Sequence, residues 1–423
     1  MPPVSLRCKE CQTEYALDAR YVCERCFGPL EVAYAPANPA DAGELKRRIQ
    51  AGPHSIWRYG DFLPTDGRGY PLPAGWTPLI RADRLARELG LAEVWVKNDA
   101  ANPTHSFKDR VVSVALARAR ELGFETIACA STGNLANAVA AHAAAAGLES
   151  YVFIPSDLEE QKILATGVYG TNLVAVGGNY DDVNRLCTEL SGDHDWAFVN
   201  INMRPYYAEG SKTLAFEIAE QLNFELPDRI VAPIASGSLF TKIARGFTEW
   251  IDAGLLEGEL PIFNGAQADG CSPVAQAFAA GLDFCRPVKP DTIAKSLAIG
   301  NPADGPYALD LARASGGRID SVSDEEIRAG IRLLAQTTGV FTETAGGVTT
   351  AVLAKLAARG EIGPDERVVI VITGEGLKTL DAVRGTFSAW QIDASVAAFE
   401  AAAAERAGAV GPVGVSARTG AVH

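Results

Sequence analysis

From about residue 77 the chain alternates short apolar, β-branched runs with longer amphipathic ones, and this rhythm restricts the fold more than any other feature. Strand-like runs stand at Glu93–Lys97, Glu125–Ala130, Ser150–Ile154, Asn172–Val176, Arg229–Pro233 and Arg367–Thr373. Helical runs follow or intervene at about 107–122, Leu135–Ala146, Tyr180–Leu190, Ser211–Leu222, Ser238–Ile251, Asp324–Gln336 and Gly347–Ala358. Regular strand–helix alternation implies an α/β fold, with a mostly parallel sheet and helices on both faces. Ligands in such folds sit at the C-terminal ends of the strands, where the strand-to-helix turns collect. No internal repeat is visible.

The 423 residues suffice for two to three domains, and 48% hydrophobic against 21% charged residues describes a chain with a large core. An excess of acidic residues, 52 against 38 basic, gives a net charge of −14. That charge weighs against nonspecific binding to nucleic acid or to an anionic membrane. No apolar run approaches the roughly 20 residues that span a bilayer. The segment Met1–Arg7 lacks the apolar core of a signal peptide, so the expected compartment is the cytoplasm, where thiols stay reduced.

Four of the eight cysteines lie within the first 26 residues as Cys8-x2-Cys11-x11-Cys23-x2-Cys26. Each pair places two thiolates on a tight turn, and four thiolates close a tetrahedral zinc site with no open coordination position. A segment this short cannot build a core unaided, so the metal would supply folding energy and its role would be structural. An incidental or redox cysteine cluster is the alternative. The other four, Cys129, Cys187, Cys271 and Cys285, read as small buried hydrophobes. A Pro/Ala/Gly-rich linker, Ala35–Gly43, is expected to isolate this module from the body.

Lys108, in the run Asn102-Pro-Thr-His-Ser-Phe-Lys-Asp-Arg110, follows a strand and a turn and opens a helix. Backbone N–H groups and desolvation at such a place disfavour the charged amine, making it a candidate for Schiff-base chemistry. Alone it would read equally as a surface lysine at a helix start. Ser131, Thr132, Gly133 and Asn134 join another strand to a helix, either as an anion-binding cradle or as plain helix caps. Ser236, Gly237, Ser238, Leu239 and Phe240 occupy a third such turn, suited to close approach of a phosphate or to a simple tight turn. Thr373 ends a fully apolar strand with a hydroxyl that could face a ring nitrogen or merely cap the strand. An amine, two anion cradles and a neutral hydroxyl are what a pyridoxal 5'-phosphate site needs.

On these residues the chain resembles the fold-type II, tryptophan-synthase-like pyridoxal phosphate enzymes, and within them the threonine synthase family. Asn102-Pro-Thr with Ser106-Phe-Lys-Asp-Arg110 is similar to that family's lysine motif, and Ala130-Ser-Thr-Gly-Asn134 to its asparagine loop. Glu209-Gly-x-Lys212-Thr213 and Thr373-Gly-x-Gly376-Leu-Lys378 are similar to its central signature and its pyridine-nitrogen segment. The resemblance, spanning about 55–390, implies two open, mostly parallel α/β domains besides the N-terminal zinc-ribbon-like module. The expected organisation is a module over 1–35, a linker and arm over 36–76, and a small cofactor and substrate domain over 77–210. A large domain over 211–395 and a C-terminal helix and tail over 396–423 complete it.

The resemblance further implies that Lys108 holds the cofactor, Asn134 meets the ring oxygen, Thr373 the ring nitrogen, and 236–240 the phosphate. Ser131, Thr132 and Gly133 would bind the substrate carboxylate. Three positions depart from the family: His105 replaces a common glycine, Leu135 a hydroxyl residue, and Tyr207 an arginine that grips substrate phosphate. Arg204, on the same segment, is expected to substitute for that arginine. The implied activity is a lyase converting O-phospho-L-homoserine and water to L-threonine and phosphate. The alternatives are a related β-replacement or elimination, cysteate-synthase-like or threonine-dehydratase-like, or a binding protein whose zinc module docks a partner. The expected partners are a small amino-acid substrate and a second copy in a homodimer, which the sequence does not decide, with no nucleic acid and no membrane.

Overall fold

A computed structural model describes residues 1–67, 70–178 and 180–409. The strand–helix rhythm builds two sheets rather than one. The first has six strands in the order Ile319–Val322, Ile262–Ala268, Arg229–Pro233, Arg367–Ile372, Glu93–Asn98, Leu79–Arg81. All neighbours pair in parallel except Leu79–Arg81, which lies antiparallel on the edge. The second has four parallel strands, Asn172–Val176, Glu149–Pro155, Thr126–Ala130 and Ala197–Phe198.

Arg229–Pro233 and Thr126–Ala130 are buried throughout, as expected of strands covered on both faces. Ile262–Ala268 and Ile319–Val322 escape the periodicity because polar residues interrupt them. Several of those polar groups find partners: Gln267 Oε1 accepts from the N–H groups of Val274 and Ala275, and Asn264 Oδ1 accepts from Arg229 Nη1. Buried amides with partners behave as core, which sequence hydropathy misses.

Residues Met1–Ala382 form one compact unit and a second begins at Val383. The expectation that the linker isolates the cysteine module is corrected. Its central strand, Pro3–Cys8, pairs antiparallel with Glu14–Tyr15 and Leu30–Tyr34. Its apolar residues Leu6, Leu30 and Val32 pack in the same core as Val111, Val112 and Leu116 of the helix Lys108–Glu121. The linker itself is ordered, with an Asn38-capped turn leading into the helix Ala42–Ala51. Burial of apolar surface, about 25 cal/mol per Å², holds a piece this small against the body more firmly than its own core could.

The second unit carries the Ala-rich helix Val396–Ala409, with Trp390 stacked on Phe399. The Gly/Val/Ser stretch at the very C-terminus lies outside the described residues. Among the described residues no helix is long and apolar enough to cross a membrane.

Candidate active site

Three backbone segments are laced together around Lys108. Phe107 N–H donates to Thr373 O (2.9 Å), Glu375 N–H to His105 O (3.1 Å), and Glu343 N–H to Gly374 O (3.0 Å). The Lys108 loop, the segment that follows the strand Arg367–Ile372 and the start of the helix Thr344–Ala358 thereby meet at one point. A Cβ on Gly374 would lie 2.5 Å from the Glu343 carboxylate and would push that side chain aside. His105 adopts φ +62°, left-handed backbone that glycine enters freely, so a glycine at this position would fit without strain.

The neighbours of Lys108 are held by buried ion pairs, and the lysine amine meets a phenol. The Asp109 carboxylate accepts from Thr104 N–H (2.9 Å) and contacts His142 Nε2 (2.8 Å). The Arg110 guanidinium is fully buried between Asp99 and Glu217, which also binds Lys97 at 2.7 Å. Lys108 is half-buried, and its amine meets the Tyr207 hydroxyl at 2.7 Å. Tyr207, which stands where the family's phosphate-gripping arginine was expected, meets the amine of Lys108.

Asn134 begins the helix Asn134–Ala146 behind the N-cap residue Gly133, which has no side chain with which to cap it. Ser131 Oγ accepts from Gly133 N–H at 3.4 Å, and the first helical turn receives no side-chain cap from its N-cap residue, which leaves its N–H groups their anion-binding capacity. Asn134 Oδ1 accepts from Lys378 Nζ (2.8 Å), and its Nδ2 donates to Glu343 Oε2 (3.0 Å). Glu343 Oε1 lies 3.4 Å from the Thr373 hydroxyl. One chain of contacts thus joins Lys378, Asn134, Glu343 and Thr373. Burial pushes the Glu343 carboxyl above the ordinary carboxylate range and the Lys378 amine below the ordinary lysine range. Leu135, in place of the family hydroxyl, packs against the neighbouring core.

The 236–240 turn opens the helix Ser238–Asp252 from Gly237, at φ +97°, again with no side-chain cap. A Cβ on Gly237 would lie 2.6 Å from Asp304 O, so only glycine fits. Leu239 packs beside the core, and Phe240 is fully buried edge-on to Phe263, so these two offer a ligand only their backbone. Asp304 N–H donates to Ser236 O (2.8 Å), while its carboxylate holds Arg204 at 2.9 Å through Nη2. Arg204 opens the helix Arg204–Glu209, one turn before Tyr207.

Residues 71–374 match the family described as pyridoxal-phosphate dependent enzyme. The chain is 40% identical over 383 residues to the threonine synthase of Methanocaldococcus jannaschii, covering 89% of this chain and 93% of that protein. It is 38% identical to the threonine synthase of Methanosarcina acetivorans, over 88% and 92% of the two chains. The chain belongs to the threonine synthase family. Its fold also matches the processed form of threonine deaminase isoform 2 from Solanum lycopersicum, with a TM-score of 0.63 at 20% identity over 87% and 97% of the chains.

The site fits the cofactor of the threonine synthase family. It offers a lysine amine paired with a phenol rather than a carboxylate, and a turn in which the Cβ of any other residue at Gly237 would collide with Asp304. Sequence reasoning missed Glu343 and gave Lys378 no role. The signal for Glu343 was present: it precedes a helix whose next charged residue is Lys355.

The four cysteines converge as well. Their sulfurs all lie within 4.8 Å of one another, with Cys8–Cys26 at 3.4 Å, Cys11–Cys23 at 3.6 Å and Cys11–Cys26 at 3.3 Å. Bonds of ~2.3 Å to a tetrahedral zinc set sulfurs ~3.8 Å apart, so the cluster needs little adjustment to hold one ion. All four are free thiols. Of the scattered four, Cys129, Cys187 and Cys271 are buried and Cys285 is half-buried.

Proposed function

We propose that the chain converts O-phospho-L-homoserine and water to L-threonine and phosphate. The observation that carries this reading is the placement of Lys108, Asn134 and Thr373 around one point, in a chain 40% identical to a threonine synthase over nearly its whole length. Bound pyridoxal phosphate supplies an electron sink for the carbanion at the substrate Cα.

Lys108 would hold the cofactor and move protons at the substrate Cα and Cβ, with Tyr207 steadying its amine. Asn134, oriented by Lys378, meets the ring oxygen, and Thr373 meets the ring nitrogen. The backbone of 236–240, with the Ser236 and Ser238 hydroxyls, cradles the cofactor phosphate. The Ser131–Gly133 turn takes the substrate carboxylate, and Arg204 takes the phosphate that leaves. Asp304 occupies only Nη2 of that guanidinium, which leaves its other donors to a ligand. Residues 77–210 and 211–395 form the small and large cofactor domains in this reading, although the larger sheet also draws on Leu79–Asn98.

Cys8, Cys11, Cys23 and Cys26 bind one zinc ion, supported by the sulfur spacing above. The reading includes a cytoplasmic location, in keeping with eight free thiols, and a homodimer. The deciding experiment assays phosphate release and amino-acid product over a panel of O-phosphohomoserine, O-phosphoserine, serine and threonine. Threonine from phosphohomoserine alone is expected. Turnover confined to phosphoserine or threonine would overturn the assignment.

A further inference from the structure

The cysteine module touches the active site through one short helix. Arg204–Glu209 carries Tyr207, the partner of Lys108, and three of its other residues are tied to the module. The Tyr206 hydroxyl donates to Asp18 O at 2.9 Å. Glu209 Oε2 accepts from the Tyr34 hydroxyl at 2.7 Å, and Lys242 bridges Glu209 to Glu31 at 2.7 and 3.5 Å. Arg204 is held by Asp304, whose other oxygen lies 3.8 Å from Lys9 Nζ. Lys9 in turn rests 3.1 Å above the Tyr307 ring, and Tyr307 donates to Glu10. A further clamp runs from Arg118 Nη2 to Leu17 O at 2.8 Å.

These ties divide into two kinds. Glu31 and Tyr34 lie on the strand Leu30–Tyr34, which the sheet secures without help. Lys9, Glu10, Leu17 and Asp18 lie outside the strands, on loops whose backbone is closed mainly by turns around the cysteines. Lys9 and Glu10 stand between the first two cysteines, so a metal bound there would fix both residues directly. Loops with so little buried apolar surface depend on ligation for their conformation.

We propose that the metal held by Cys8, Cys11, Cys23 and Cys26 positions the helix Arg204–Glu209, and through Tyr207 the amine of Lys108, so that metal loading governs the rate of catalysis. The proposal rests on the zinc reading given above and goes beyond it: the module is a part of the catalytic apparatus and more than a support for the fold. Removing the ion frees Lys9, Glu10 and Asp18. Arg204 and Tyr206 then lose their outer anchors, and Tyr207 loses its fixed approach to Lys108. Displacements of about an ångström at a reacting group suffice for large rate losses.

The test uses the full chain loaded with cofactor and zinc. Metal content, thermal midpoint, the visible circular dichroism of the bound cofactor, kcat and KM are measured before chelation, after chelation and after zinc is restored. The expected result is about one zinc per chain and, on its removal, a still-folded body with altered visible dichroism. In that state kcat should fall by roughly tenfold or more, KM for phosphohomoserine should rise because Arg204 loses its outer anchor, and zinc should restore kcat and the dichroism. Because chelation could unfold the chain, the double variant Lys9→Met, Tyr206→Phe cuts the ties from the cysteine loops to Arg204 and Tyr206 while keeping the strand ties of Glu209 and all four thiols. It should hold one zinc and melt normally, yet show the same dichroism change and loss of kcat. Unchanged kcat and dichroism in that variant, or in folded metal-free enzyme, would overturn the coupling while the zinc reading stands. Failure to bind zinc at all would overturn both.

Discussion

Asn134 Nδ2 donates to Glu343 Oε2 across 3.0 Å, joining the first residue of one helix to the residue that precedes another, 209 positions later. That bond orients the asparagine amide, because Lys378 occupies its oxygen and Glu343 its nitrogen. It also places a buried carboxyl group beside Thr373, where only a neutral hydroxyl was expected. Glu343→Gln keeps the shape and removes the charge. It should shift the visible band of the bound cofactor and lower kcat by about tenfold, the size of one misplaced charge-assisted contact. Absorbance and turnover matching the wild type would dismiss Glu343 from the site.

Lys108→Ala should abolish turnover and the protein-bound visible band. Borohydride reduction of the loaded enzyme followed by peptide mapping identifies the modified lysine. Lys97 and Lys212 are fully buried in ion pairs with Glu217, Glu209 and Glu249, so label on either would contradict the arrangement described above.

Tyr207→Phe removes the hydroxyl 2.7 Å from Lys108 and nothing else. The cofactor should still bind, while kcat falls with KM for phosphohomoserine nearly unchanged. A rise in KM alone would mean that Tyr207 acts on substrate binding and not on the amine of Lys108.

Arg204→Ala should raise KM for phosphohomoserine and leave the cofactor band intact. A charge-assisted contact of roughly 2–3 kcal/mol corresponds to about a 30- to 150-fold loss in kcat/KM. Unchanged kcat/KM would mean that the ion pair with Asp304 is the whole role of this residue.

Acid should destabilise the fold within a defined window. Burial raises the carboxyls of Glu209 and Glu217, but their cationic neighbours outweigh it and hold both at about 2 against an ordinary 4.5. Lys212 and Lys242 act on Glu209, and Arg110 and Lys97 on Glu217. With the native value depressed, the unfolded chain takes up protons first as pH falls. The stabilisation is therefore complete above about pH 4.5 and drains away towards pH 2. Thermal midpoints recorded from pH 7 to 3 should hold steady and then drop steeply below that point. Glu217→Gln should lose roughly 3 kcal/mol at pH 7, because it strands buried Arg110 and Lys97, and should show a shallower acid limb.

Much of the site was legible because its parts are local in sequence. A lysine behind a Pro-Thr turn, small residues at Ser131–Gly133 and Ser236–Ser238, and paired cysteines each declare their chemistry within a few positions. The rhythm of apolar runs likewise determined an α/β fold with its ligand site at the strand ends. Tertiary structure decided everything that depends on residues distant in the chain. Only folding divides the strands into a six-stranded and a four-stranded sheet, since polar residues such as Asn264 and Gln267 find partners that periodicity cannot foresee. Only folding brings Glu343 to Asn134, turns Tyr207 onto Lys108 rather than outward, and sets Asp304 between Lys9 and Arg204. Hydropathy and spacing report what a residue prefers as its surroundings. Which hydrogen-bond partner satisfies it is settled by the packing of segments hundreds of residues apart, where an unmet buried polar group costs more than any local preference.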